Sequence, residues 1–523
     1  MRLIKSGLSF LLLTAAISMA EANEIHPADS ARTDRPTSYK EMMTLLREIV
    51  SPSKQFQLQI IGKSVKGRDI PALFYSPGGG IPQGTRQRPL VLVYCQQHGN
   101  EPAGKEAALL LAQELASEKG GRKYDFDLII VPLVNPDGSE TASRRNANDV
   151  DLNRDYIMLS QPETQALYDL FLDYLPEVAL DVHEYNAVVK EWVDYGIIKD
   201  ADIMFDGVTN LNISEEIMSF SFDTIMPALG EILEGEGWRF NRYIIGTPDE
   251  GDIIRHSTTE VNDARHSMGI YNTFSFIIEG KKYTGSLSYL NRRVEIQLSA
   301  LRAFLDVINR NSQEIWEITQ QARQDILAGV QPEDDMIHLQ FQRLAAESAE
   351  GLEYPVFDLY AWRPEMRTFP NYSPGLQPRV SVRRPYAYII PADVDGLFEL
   401  LRKRRIQMYR LAGKSDLSLE IYRILQVSPE DADGISQTEV RVRRLKEVRR
   451  IEGGAVVIYL NQPGGRLIPL LLEPQSPNRI IPLSGGIQGG SSAQTRMVEY
   501  PIYRLAEDIE IGLIPYEKIT HSK

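Results

Sequence analysis

The chain has one cysteine, Cys95, in 523 residues, which excludes a disulfide framework. It has only 7 histidines, so any site built on imidazole draws on a short list of positions. It is also poor in basic charge: 57 Lys and Arg stand against 71 Asp and Glu, for a formal net charge of -14. That balance argues against a nucleic-acid partner, because phosphate binding wants a basic face. Past the N-terminus no apolar run approaches the roughly 20 residues that a membrane-spanning helix needs. What remains, 43% hydrophobic and 24% charged, is the composition of a soluble globular protein. The length predicts two domains.

The N-terminus is the exception to the lack of apolar runs. MRLIKSGLSFLLLTAAISMAEA starts with Arg2 and Lys5, continues through an apolar centre at Leu8 to Ala16, and ends in the small-residue pattern Ala20-Glu21-Ala22. This is the order of a secretory signal peptide over residues 1–22. Its centre is too short for a membrane anchor. The mature chain is therefore expected in the periplasm or outside the cell.

Met42, Leu45, Leu46 and Ile49 recur at helical spacing and predict a helix over 39–50, while 57–61 alternates like a strand. Further strands are predicted at 90–94, 128–133, 178–182 and 274–278, with helices at 103–115 and 162–175 between them. Alternation of this kind predicts an α/β fold, a mixed central sheet flanked by helices. Helical sequence from Leu290 to Ala328 ends in GVQPEDD, a breaker-rich acidic stretch, which sets the boundary between a domain at 23–328 and a second at 337–523. In the second, YAYIIP, LEIYRIL, EVRVRRL, GAVVIYL and RLIPLLL are short, mostly strand-like runs, so a smaller β-rich domain with a helix or two is expected. The basic runs RKRR and RVRRLKEVRR stand among acidic residues and read as solvated faces.

The chemistry concentrates where strands end. VLVYCQQHGNE runs from a strand into His98 and, three positions on, Glu101. Cys95 lies close enough to His98 to suggest a thiol nucleophile, but it sits inside the apolar VLVYC run, where a buried thiol is inert. ALDVHEYN places His183 after another strand. Ligands of open α/β sheets gather at the carboxyl ends of strands. His98, Glu101 and His183 thus offer three ligands for one zinc ion, with a fourth position for water, the pattern of a catalytic site. NTFSFIIEG sets Glu279 after a third apolar run, where a carboxylate can act as general base. Asn135-Pro136-Asp137-Gly138 is a strong turn, and Arg144, Arg145 and Arg154 follow it. A guanidinium fork suits both a carboxylate and a developing negative charge. Taken singly, each of these is explained by an ordinary surface turn, Glu or Arg.

Together and in this order, the motifs resemble the M14 family of zinc carboxypeptidases over residues 39–328, and the resemblance assigns roles. His98-x-x-Glu101 is similar to the family's first metal motif and His183 to its third ligand. NPDG followed by Arg144-Arg145-Asn146 implies that Arg144 polarises the substrate carbonyl and stabilises the oxyanion. Asp151-Leu152-Asn153-Arg154 matches D-x-N-R, implying that Asn153 and Arg154 hold the terminal carboxylate and that Asp151 orients His98. Glu279 matches the catalytic glutamate. The implied protein is a zinc metallocarboxypeptidase that acts on peptides with a free C-terminus. Many members carry a tyrosine on a mobile loop before that glutamate, and 247–266 holds none; Tyr243 and Tyr271 flank the stretch without taking the role. Arg255, His256, Asp263, Arg265 and His266 read either as a hydrated loop or as the lining of a specificity pocket, and the two histidines are poor alternative zinc ligands. The C-terminal part resembles the appended region of certain bacterial M14-like proteins and carries no catalytic cluster.

Two other readings stay open at this level. Deacylases of N-acyl amino acids share His-x-x-Glu, D-x-N-R and a later His, and a cell-wall peptide amidase keeps the same fold. A zinc- or peptide-binding protein without turnover is the third class, and Glu279 counts against it, because a pure binder needs no general base.

Overall fold

Eight strands form the sheet that carries the site. In chain order the strands of this half are β1 (Phe56–Lys63), β2 (Asp69–Tyr75), β3 (Leu90–Cys95), β4 (Asp127–Val131), β5 (Val178–Asn186), β6 (Ile197–Lys199), β7 (Ile203–Asp206), β8 (Phe240–Arg242), β9 (Ile254–Arg255) and β10 (Phe274–Lys282). The main sheet runs β1-β2-β4-β3-β5-β10-β7-β8, with β6 and β9 outside it. Its centre, β4-β3-β5-β10, is parallel, while β2 and β7 pair antiparallel with their neighbours β4 and β10. The mixed sheet flanked by helices is thus present. The computed structural model describes residues 35–516 apart from 82, 83, 85, 118–123, 250, 284–288, 329–334, 345–350, 395, 433, 434, 482, 484–497 and 508–510. The proposed signal peptide at 1–22 lies outside the described residues.

Local sequence accounts for the elements. β3 and β4 are buried along their whole length, which is why LVLVYC and DLIIV read as apolar runs rather than alternating ones. The helix Tyr39–Val50 starts at Ser38, whose hydroxyl and the Glu41 carboxylate form a capping box. Cys95, at the end of β3, is fully buried, and burial pushes its thiol well above the ordinary range. A small thiol reagent is therefore expected to leave the native protein unlabelled and to react once it is unfolded; rapid native labelling would contradict this packing.

Several expectations shift. β5 and β10 continue past Val182 and Ile278, paired residue by residue from Val178↔Phe274 to Asn186↔Lys282. His183 and Glu279 therefore lie inside strands rather than just after them. The NPDG turn is a short helix, Pro136–Glu140, because Asn135 caps it and Pro136 fills its first position. The stretch from Leu290 is two helices, Leu290–Arg310 and Ser312–Leu327, broken at Asn311. RLIPLLL forms a helix, Leu467–Leu472.

The C-terminal region is rich in strands, including a seven-stranded sheet built on the long hairpin Ser415–Ala432 and Ile435–Ile451. It also docks onto the first half. Leu352–Asp358 pairs with β6, and Tyr372–Ser373 pairs with β9. One buried apolar cluster runs from Met42 to Ile502, and Arg404, 1% exposed, donates to the Tyr168 hydroxyl at 3.0 Å. No helix among the described residues is long and apolar enough to cross a membrane.

Candidate active site

β3 has β4 on one side and β5 on the other, so the chain order reverses at this point and a crevice opens at the carboxyl ends of the strands. The first ligand loop enters it directly from β3. Gln96 takes a φ of 54° and turns the chain, and its side-chain amide donates to the Gly99 carbonyl at 2.8 Å. Gly99 lies against the Pro136–Glu140 helix so closely that a Cβ there would stand 2.1 Å from the Gly138 carbonyl carbon. Asn135 completes the brace: its Nδ2 donates to the Gln97 carbonyl at 3.0 Å and its Oδ1 accepts from the Gly138 amide at 2.8 Å. The NPDG segment therefore acts as a buttress for the loop that bears His98.

His98, Glu101 and His183 converge, 4%, 4% and 2% exposed, with one ligand atom of each within 4.8 Å of the others. His183 Nδ1 is 3.0 Å from His98 Nδ1 and 3.0 Å from Glu101 Oε2, and His98 Nδ1 is 3.1 Å from Glu101 Oε2. Ligands about 2.1 Å from a tetrahedral centre stand ~3.4 Å apart, close to this spacing. The outer nitrogens face carboxylates: His98 Nε2 lies 3.1 Å from Asp151 Oδ1, and His183 Nε2 lies 2.8 Å from Asp181 Oδ1. With each outer N–H donating, both Nδ1 lone pairs point inward. Asp181 is itself held by the Gln97 amide at 2.9 Å. Donor type, spacing and support all fit, so the triad can hold a metal ion.

Charge is arranged around that point. Burial works against the Glu101 carboxylate, yet His98, Lys282 and His183 outweigh it and hold the group well below its usual range. Burial likewise opposes a charged His183, but Asp181 and Glu101 raise it well above the ordinary imidazole value. Glu279 is the Cα partner of His183 across β5 and β10 and is 8% exposed. Burial pushes its carboxyl up to about 7, with Glu101 adding and His183 and His98 opposing. Lys199, on β6, sits over the Tyr185 and Trp192 rings at 5.1 and 5.6 Å. Burial lowers its ammonium to about 8 while the Glu279 charge opposes that shift.

The remaining predicted residues share the same cavity, of about 420 Å³. His98, Glu101, Arg144, Asn153, Arg154, His183 and Glu279 all line it. Arg144 is the half-exposed member; its Nε donates to Asp151 Oδ2 at 2.9 Å and its Nη1 lies 3.2 Å from His98 Nδ1. Asn153 is buried, with Nδ2 3.2 Å from His183 Nε2 and Oδ1 accepting from the Ala264 amide at 2.9 Å. Arg154 Nη1 donates to the Asn153 carbonyl at 2.6 Å. Asp151 reaches the site through His98 and Arg144. Arg145 does not enter it, being exposed and bonded to the Asp149 carbonyl at 2.8 Å.

The 247–266 stretch is no hydrated loop at its C-terminal end: His256, Asp263, Arg265 and His266 are all buried. The two histidines are structural. His266 Nδ1 lies 3.0 Å from Asp263 Oδ1 while its Nε2 accepts from the Thr209 amide at 3.2 Å, and His256 lies 3.1 Å from the Tyr243 carbonyl and 2.5 Å from the Tyr372 hydroxyl. Asp263 and Arg265 do line the cavity, as does Tyr243. Tyr271 does not line it; it is hydrogen-bonded to Tyr168 at 3.0 Å. Asp181, Lys199 and Lys282 went unread in the sequence. Only Asp181 left a usable signal there, standing two residues before His183 and so on the same strand face.

The Peptidase_M14 family model, described as zinc carboxypeptidase, matches residues 42–202. Carboxypeptidase 2 of Trichophyton rubrum is 25% identical over 494 residues, spanning 90% of this chain and 87% of that protein. Carboxypeptidase 2 of Trichophyton tonsurans is 26% identical over 463 residues, 85% of this chain and 81% of the relative. Among solved structures, a metallo-carboxypeptidase from Burkholderia cenocepacia aligns with a TM-score of 0.41 and 17% identity over 53% of this chain and 70% of that one.

Proposed function

We propose that this chain, an M14 zinc carboxypeptidase-like protein, removes single residues from the free C-termini of peptides with one zinc ion at His98, Glu101 and His183. One observation carries the reading: a metal-competent triad, a buried carboxylate outside it and a group of arginines share one cavity. Zinc held there supplies a Lewis acid that activates water and polarises a carbonyl. Glu279 takes the proton of the attacking water on its carboxylate and returns it to the departing amine nitrogen. Arg144, half-exposed at the cavity, directs its guanidinium at the carbonyl oxygen as negative charge grows there. Asn153 and Arg154 hold the terminal carboxylate and so restrict cleavage to the last peptide bond. Asp151 and Asp181 keep the two imidazoles in the orientation that turns Nδ1 inward.

The same reading places catalysis in residues 23–328, assigns 337–523 to a β-rich accessory domain, and has residues 1–22 direct export to the periplasm or beyond. Mass spectrometry of a peptide library, free and amidated at the C-terminus, tests the activity. Loss of single terminal residues from free peptides alone is expected. Arg154→Ala should reduce kcat/KM on free peptides by roughly 10²-fold, a loss of 2 to 3 kcal/mol of charge-assisted binding. Equal cleavage of amidated and free peptides by the parent protein would contradict the role.

A further inference from the structure

We infer that Arg265 makes the terminal-residue end of the cavity a subsite for an acidic side chain, so that the substrates are peptides ending in Glu or Asp. This rests on the carboxypeptidase reading. Arg265 lines the cavity and is 3% exposed, yet two of its donor nitrogens, Nε and Nη1, have no hydrogen-bond partner among the described residues. Its third, Nη2, meets the Ser257 hydroxyl. The nearest carboxylates are Asp206 Oδ2, 3.8 Å from Nη1, and Asp263 Oδ2, 3.9 Å from Nη2, both beyond hydrogen-bond reach. Asp206 Oδ1 accepts from Arg242 Nε at 2.9 Å while its Oδ2, the oxygen that faces Arg265, has no hydrogen-bond partner among the described residues, and Asp263 Oδ1 accepts from the His266 amide at 2.7 Å.

A buried guanidinium with free N–H groups is costly unless something brings it an acceptor. The position of Arg265 says what brings it. The Ala264 amide donates to Asn153 Oδ1, so Arg265 is one residue away from the side chain proposed to hold the terminal carboxylate. A terminal residue anchored at Asn153 and Arg154 has this end of the cavity for its side chain. Ile245 and Ile277 also line the cavity and offer apolar surface for methylene groups, and the planar fork of Arg265 matches a carboxylate.

The test uses the full zinc-loaded chain and peptides that differ only in the last residue: Glu against Gln, and Asp against Asn. The acidic member of each pair is expected to show a kcat/KM higher by about 10 to 100-fold. In Arg265→Gln that ratio should fall to near one, a comparison made within one variant and so independent of its overall activity. Calorimetric binding of N-acetyl-glutamate and N-acetyl-glutamine to the Glu279→Gln protein reads the same preference without turnover. Equal turnover or equal binding of the acidic and amide members overturns the subsite, while cleavage of any free terminus still upholds the carboxypeptidase reading. Selective binding of N-acetyl-glutamate with no peptide cleaved would overturn the activity and leave the subsite standing.

Discussion

Glu279→Gln is expected to keep the metal content of the parent protein and to lose turnover, with kcat falling by roughly 10² to 10⁴-fold. The two halves of this result have separate structural causes. Glu279 is not one of the three residues whose donor atoms converge, so removing its charge leaves that cluster and its supporting carboxylates intact. Glutamine also matches the volume of glutamate, so the strand register that sets position 279 beside His183 is undisturbed. What the amide cannot do is accept a proton from water. Because substrate binding is assigned to Asn153 and Arg154, KM should move far less than kcat. The measurement pairs elemental analysis of zinc with steady-state kinetics on a free peptide. Parental kcat in the variant would remove Glu279 from the chemistry, whereas loss of zinc together with activity would make it a ligand.

Much of this site was legible in the sequence because its residues come in a recognisable order, and the structure brings His98, Glu101, Arg144, Asn153, Arg154, His183 and Glu279 to one cavity. The strand boundaries around them were less so. An apolar run stops at the first polar residue, but β5 continues through Asp181 and His183, and β10 through Glu279, because backbone pairing does not depend on side-chain polarity. Burial of His256, Asp263, Arg265 and His266 within the 247–266 stretch was hidden for a related reason. Its polar composition suggests solvent, yet His266 and His256 meet Thr209 and Tyr372, which come from distant parts of the chain. Lys199 was invisible for want of any local pattern: β6 is three residues long and is completed by Leu352–Asp358, which pairs with it from far along the chain. Period-two spacing sets Asp181 on the same strand face as His183, but a single aspartate inside the apolar run ALDVH carries no motif of its own.

That aspartate separates two effects on the metal. His183→Ala deletes a donor atom and should leave a site that loses zinc on dialysis, taking activity with it. Asp181→Asn deletes no donor. It replaces the carboxylate 2.8 Å from His183 Nε2 with an amide, weakening the contact that fixes the ring and its tautomer. Changes to such supporting groups cost about 10 to 100-fold in metal affinity, so Asp181→Asn should retain zinc at saturating metal and release it at lower chelator concentration than the parent. Because Asn keeps the shape of Asp and the Gln97 side chain can still reach it, the fold should stand and the effect should appear in metal affinity rather than in melting temperature of the metal-free protein. Competition against a chelator of known zinc affinity ranks the three proteins. The order parent, Asp181→Asn, His183→Ala follows if His183 binds through Nδ1 with its far nitrogen tied to Asp181. Parental affinity in Asp181→Asn would mean that packing alone orients the ring, and parental affinity in His183→Ala would place the metal elsewhere.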